Sequence, residues 1–172
     1  MRRIAAAERI IFGRVSGGNE CFVKARRYSE VVSMPLEINS READGVTILD
    51  LRGRLVQGPE VTALRERFNE LERGQVKNII LNFKQVEYID STGLGMLVAV
   101  QSQMEKVGGA IRLLELSKRG AELMVLTKLS TIFQFFDDEQ AAINSFFPGR
   151  EVKRFDILEF VQSQETSEPD KA

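Results

Sequence analysis

Between an apolar run and a long helical pattern the chain carries Tyr88-Ile89-Asp90-Ser91-Thr92-Gly93-Leu94-Gly95, a carboxylate followed by two hydroxyls and two glycines. Three chemistries use residues of this kind. An aspartic-protease loop sets a single hydroxyl residue and then glycine behind its aspartate. Here Thr92 intervenes between Ser91 and Gly93, and no second copy exists to complete the carboxylate pair. A serine nucleophile needs a base, and this serine has neither a Gly-x-Ser-x-Gly elbow nor a Ser-x-x-Lys pattern around it. A phosphate-binding loop needs Gly-x-x-x-x-Gly-Lys-Ser/Thr, which the chain lacks. What survives is a passive hydroxyl that another enzyme phosphorylates. A cap explains part of the pattern, because the side-chain oxygen of Asp90 or Ser91 can accept from the unpaired N–H groups of a helix start. It leaves Gly93 and Gly95 unexplained, each costing about 1 kcal/mol against alanine in the first two turns of a helix. Small residues around an exposed hydroxyl let a second protein surface come close, and a helix N-terminus tolerates a negative group.

Composition narrows the field further. The 172 residues include no histidine and one cysteine, Cys21, which removes internal disulfides, the usual zinc ligand sets and every imidazole-based triad. No metal, no cofactor and no enzymatic activity are expected. Lysine and arginine (24) balance aspartate and glutamate (25), so the basic excess that neutralises nucleic-acid phosphates is missing and no nucleic-acid partner is expected. No apolar run approaches the roughly 18 residues that span a bilayer. The start MRRIAAAERIIFGRV is broken by Glu8, Arg9 and Arg14, a poor signal peptide. A cytoplasmic location without membrane attachment is the expectation, with Cys21 a reduced thiol.

The elements that must position these residues alternate between strand and helix. VTILDLRG is β-branched with a closing glycine, and LEINSRE before it suits a hairpin partner. In EVTALRERFNELERG, Val61, Leu64, Phe68 and Leu71 recur at three and four, with Pro59 near the start and Gly74 at the exit, which predicts an amphipathic helix. KNIILNF predicts a strand buried on both faces, with Ile79, Ile80, Leu81 and Phe83 at the centre of the sheet. Lys84-Gln85-Val86-Glu87 reads as a solvated edge where that strand gives way to a loop. STGLGMLVAVQSQMEKVGG, SKRGAELMVLTKL and DDEQAAINSFF read as helices, and AIRLLEL and TIFQFF as strands. The order predicts an α/β layer sandwich with right-handed crossovers. Residues 1–33 show no sustained period and precede a fresh beginning at Met34; they are expected to be poorly ordered, as in an over-extended gene start. The domain is placed at residues 34–147. Residues 148–172 form a C-terminal extension with one further short element in REVKRFDILEFVQ and disorder in SQETSEPDKA.

YIDSTGLG, following a buried strand and opening a long helix, resembles the STAS domain, and in particular the stand-alone anti-sigma factor antagonists. The likeness extends from Leu36 to Phe147, through LRGRLVQGPEVTALRERF upstream and GGAIRLLELSKRGAELMVLTKLSTIFQFFDDEQAAINSF downstream. It implies a mixed central sheet of about four to five strands with about four helices packed largely on one face. It also implies that Ser91, with Thr92 as the alternative acceptor, is phosphorylated by an anti-sigma factor that is itself a serine kinase of the histidine-kinase-like ATPase fold. In such systems the unphosphorylated antagonist sequesters the anti-sigma factor, phosphorylation dissolves the complex, and a serine phosphatase resets it. Relatives of the same domain serve pathways that do not end in a sigma factor, and nucleotide binding has been proposed for some. The implied partner surface comprises Asp90, Ser91, Thr92, Gly93, Leu94 and Gly95, together with Gly53, Arg54 and Leu55. One position departs from the family pattern: an aspartate linked to kinase contact often follows Gly-x-Leu, where this chain has Val56.

Along the second helix, Leu94, Leu97, Val98 and Met104 make one buried stripe, with Met96, Val100 and Val107 to one side. Met96 and Val100, near the helix start, are expected on the surface as part of the partner site.

Overall fold

Successive side chains of a strand point to opposite faces, and in β2 (Val46–Leu55) both faces are apolar. Val46 and Ile48 lie on one, Leu49, Leu51 and Leu55 on the other, so the strand must be covered twice. The computed structural model, which describes residues 35–153 and 155–165, places β2 second in a five-stranded sheet of order β1-β2-β3-β4-β5. β1 (Glu37–Ala43) is its antiparallel hairpin partner. The turn between them uses Asp44 and Gly45 at φ 53° and 75°, the conformation that two-residue hairpins demand. β3 (Asn78–Ile89), β4 (Ala110–Leu114) and β5 (Gln134–Phe136) follow in parallel. The crossovers are α1 (Pro59–Arg73), α2 (Ser91–Lys106) and α3 (Lys118–Leu126). Since the four parallel strands lie in chain order, crossovers of one hand place all three helices on the same face.

The larger core forms beneath those helices. Leu64 and Phe68 of α1, Leu97 and Met104 of α2, and Met124 of α3 pack on Leu49, Leu81 and Leu113. On the other face α4 (Glu139–Asn144) covers a smaller cluster around Ile48, Ile80, Leu114 and Phe136. There Arg41 of β1 donates from Nε to Asp50 at 2.7 Å and from Nη1 and Nη2 to Glu139 at 2.7 and 2.6 Å. The mixed sheet with most helices on one face is the architecture the sequence implies.

One reading of the sequence is corrected here. Lys84–Glu87 does not run into a loop but is part of β3; Lys84, Gln85 and Glu87 are exposed as expected, while Val86 is buried. While β2 advances from Asp50 to Arg52, β3 advances from Asn82 to Gln85; while β2 advances from Gly53 to Arg54, β3 advances from Val86 to Tyr88. Each step inserts one extra residue, a β-bulge. Buried positions therefore fall at Phe83, Val86 and Ile89, spaced by three, and the period of two that announces a strand is lost. Gly53, at the second bulge, has φ 106°, a conformation open to glycine and to few other residues.

The short element expected in REVKRFDILEFVQ is present. Beyond residue 147, α5 (Ile157–Glu165) packs on α3 and buries Ile157 and Val161 in the larger core. Leu123 and Val125 of α3 are partly buried against the same core. Residues 1–33 and those after 165 lie outside the described residues. Among the described residues, no helix is long and apolar enough to cross a membrane.

Ile79 is fully buried in the central strand. Ile79→Ala is expected to cost roughly 2–5 kcal/mol, a large share of the about 5–15 kcal/mol that stabilises a domain. Arg65→Ala, on the exposed face of α1, is expected to stay within about 0.5 kcal/mol. Urea melts of the two variants test the ranking; the reverse order would remove β3 from the centre of the core.

Candidate functional site

β3 delivers Asp90 beyond the end of the sheet as the N-cap of α2, with φ −98° and ψ 177°. Its Oδ1 accepts from the backbone N–H of Gly93 at 2.7 Å, and its Oδ2 from that of Gln57 at 2.8 Å. Its own N–H donates to the Leu55 carbonyl at 3.2 Å, and its carbonyl accepts from Leu94 at 3.0 Å. One residue thereby joins the end of β2, the loop before α1 and the first turn of α2. Burial pushes the Asp90 carboxyl pKa up, but the N–H groups of Gly93, Gln57 and Thr92 together outweigh it and hold the group below the usual carboxylate range. The sequence left the cap to Asp90 or Ser91; the geometry assigns it to Asp90 and releases Ser91. Ser91 and Thr92 are both exposed, and neither hydroxyl has a hydrogen bond among the described residues.

The two glycines have different reasons. A Cβ on Gly93 would stand 2.6 Å from the Leu55 carbonyl oxygen and 2.9 Å from Leu55 Cγ, so this glycine lets α2 meet β2. A Cβ on Gly95 would meet nothing within 4 Å, and the residue is exposed. Of the pair, Gly95 alone presents open space to a visitor.

The expectation that Met96 and Val100 lie on the surface is corrected: they are 2% and 3% exposed. α2 packs on the sheet and also against α1, so its buried stripe is wider than one heptad seam. Leu94 and Leu55 are buried as well, Gly53 likewise, while Val98 is half-buried and Val107 exposed. The implied partner surface thus reduces, on its outer side, to Ser91, Thr92 and Gly95, with Asp90 and Arg54 half-exposed.

Sequence reasoning missed several neighbours. Gln57, Gly58 and Pro59 are exposed, and Thr92 shares a shallow cleft with them and with Arg65. The signal in the sequence was the second oxygen of Asp90, since a cap employs only one. Tyr88 is flanked by the guanidinium carbons of Arg54 and Arg119, 5.2 and 5.7 Å from its ring centroid, within cation–π range. Beside it a cleft of about 250 Å³ opens between β3 and α3, lined in part by Phe83, Val86, Ile89 and Leu123. Among the described residues no cluster of ligating side chains could hold a metal ion.

The family model for the STAS domain matches residues 37–142, and the chain belongs to that family. It is 24% identical over 110 residues to the anti-sigma F factor antagonist of Paenibacillus polymyxa, across 64% of this chain and 94% of that one. It is 41% identical over 70 residues to the anti-sigma-B factor antagonist of Bacillus subtilis (strain 168), across 40% and 62%. Among solved structures, the anti-sigma factor antagonist SpoIIAA in its unphosphorylated form matches with a TM-score of 0.58 and 21% identity, over 67% of this chain and 100% of that one. The phosphorylated form of Bacillus SpoIIAA matches with a TM-score of 0.52 and 22% identity, over 64% and 98%.

Asp90→Asn keeps an acceptor for Gly93 but turns an NH₂ group toward the N–H of Gln57 or loses that contact. The expected cost at pH 7 is about 0.5–2 kcal/mol. A carboxyl whose folded pKa is depressed contributes stability that is complete above its unfolded value, near 3.9, and is lost as pH falls through the folded value. The difference between wild type and variant is therefore expected to shrink below about pH 4. Thermal melts by circular dichroism across pH 2–7 check this, and a gap that stayed constant would contradict the assigned bonds.

Proposed function

We propose that this STAS domain is an anti-sigma factor antagonist that binds an anti-sigma factor and is switched off by phosphorylation of Ser91. The partner in this reading is also the kinase, a serine kinase of the histidine-kinase-like ATPase fold, and a serine phosphatase restores binding. One observation carries the proposal: Ser91 opens α2 with a free, exposed hydroxyl beside an aspartate that is already engaged by the fold. The names of the relatives support it, since two are antagonists of anti-sigma factors and SpoIIAA has both a phosphorylated and an unphosphorylated form.

Charge and room supply the mechanism. A phosphate on Ser91 adds about −1.5 to −2 charge and three acceptor oxygens. The free protein accommodates it in water at the positive end of α2, so the fold persists. In the complex the same group has to be desolvated beneath a partner that packs closely over Gly95. A mismatch of about 3–4 kcal/mol weakens binding by roughly two to three orders of magnitude, which is sufficient for release.

Ser91→Ala is expected to bind the anti-sigma factor and resist its kinase, and Ser91→Asp to bind it about 100-fold or more weakly. Gly95→Ala is expected to stabilise the free protein by up to about 1 kcal/mol while weakening the complex. The measurements are phosphosite mapping by mass spectrometry after incubation with kinase and ATP, and calorimetric titration of each variant with the partner. Phosphate on Thr92 would shift the acceptor by one residue; undiminished binding by Ser91→Asp and by the phosphorylated protein would refute the switch.

A further inference from the structure

Along the outer edge of β5 lies a second cleft, of about 700 Å³, within the range of about 300–1,000 Å³ usual for small-molecule sites. Four phenylalanines line it, Phe133, Phe135 and Phe136 from β5 and the turn before it, and Phe155 from the segment leading into α5. Its polar lining includes Gln134, Ser145 and Asp156. Asp156 is engaged elsewhere, its Oδ1 accepting from the N–H groups of Leu158 and Glu159 at 2.9 and 3.2 Å.

Ser145, whose Oγ donates to the Ala142 carbonyl at 2.6 Å, leads to an unbalanced charge. Arg112 of β4 donates from Nε to Ser145 Oγ at 3.2 Å, lies over the Phe146 ring at 4.8 Å, and makes one long contact at 3.4 Å to the carbonyl of Ile111. Among the described residues no carboxylate pairs with it. Burial lowers its pKa, yet a guanidinium stays protonated at any ordinary pH. A half-buried cation without a counter-ion costs stability, and an apolar residue of similar size would cover Phe146 without that cost. The charge stands one hydrogen bond behind the wall of an aromatic cleft, where an acid would balance it.

We infer that this cleft binds an amphipathic carboxylate, whose aromatic or aliphatic body packs among the phenylalanines while its acid group takes the place of the Ser145 hydroxyl as the acceptor of Arg112. Such a site lies apart from the α2 start and does not require Ser91. Charge-assisted contact to a guanidinium is among the stronger hydrogen bonds available in a protein. Selectivity should therefore reside in the acid and bulk affinity in the apolar body.

Calorimetric titration of the full chain with 4-phenylbutyrate and with its neutral analogue 4-phenylbutanamide tests the inference. The acid is expected to bind at least about tenfold more tightly than the amide. Amide-proton shifts in ¹⁵N spectra are expected to centre on residues 130–136 and 152–158. Arg112→Gln is expected to lower the affinity for the acid to that for the amide while leaving the amide unaffected. Val152→Trp, which fills the cleft, is expected to abolish both, with thermal melts verifying its fold. Equal affinity of the wild type for acid and amide, a preference that survives in Arg112→Gln, or no binding of either compound at millimolar concentration would each overturn the site.

Discussion

Four parallel strands laid side by side in chain order constrain nearly everything else in this molecule. With one handedness for the crossovers, α1, α2 and α3 all fall on the same face, and the larger core is the consequence. The same order brings the carboxyl ends of β2 and β3 together, so the loop entering α1 and the cap of α2 become neighbours although 33 positions separate Gln57 from Asp90. In open α/β sheets the groups available to other molecules gather at these carboxyl ends. The location of Ser91 follows from topology before any particular side chain is considered.

Asp90 turns that proximity into a fixed geometry. A carboxylate with both oxygens held by backbone N–H groups, on a helix whose third residue cannot carry a Cβ, leaves α2 little freedom to shift along β2. In the proposed switch, negative charge at Ser91 would meet this fixed helix start, so its effect would fall on the surface of the partner that approaches it. The second face of the sheet is more polar, and its charges are shared differently: Arg41 is matched by two carboxylates, Arg112 by none among the described residues.

What the sequence discloses here is mostly what is local. Pro59 and Gly74 bracket α1 as their types require, and the apolar run Ile79–Phe83 is the central strand because a strand covered on both faces needs no alternation. The motif around Ser91 is equally readable. What it withholds is tertiary. Two bulges rewrote the period of β3, so Lys84–Glu87 resembled a strand running out into a loop. Met96 and Val100 are buried because α2 has two neighbours, and nothing along its own sequence announces α1. α5 follows a Pro-Gly break, and its two core residues, Ile157 and Val161, are too few to signal membership of the core. Gly93 and Gly95 look alike as letters; only the Leu55 carbonyl tells them apart.

Among the described residues β1 is an outermost strand, with nearly every side chain of EINSREA in water. An uncovered strand is a template on which another chain can extend the sheet. Here any chain docking on that edge would have to lie against Arg41, whose guanidinium is already gripped by Asp50 and Glu139, and against the charges of Glu37 and Glu42. Glu37 faces Arg52 at 3.8 Å, and Glu42 has no charged partner among the described residues. Extension of the sheet at β1 by a second chain would therefore carry an electrostatic cost that an apolar edge would not.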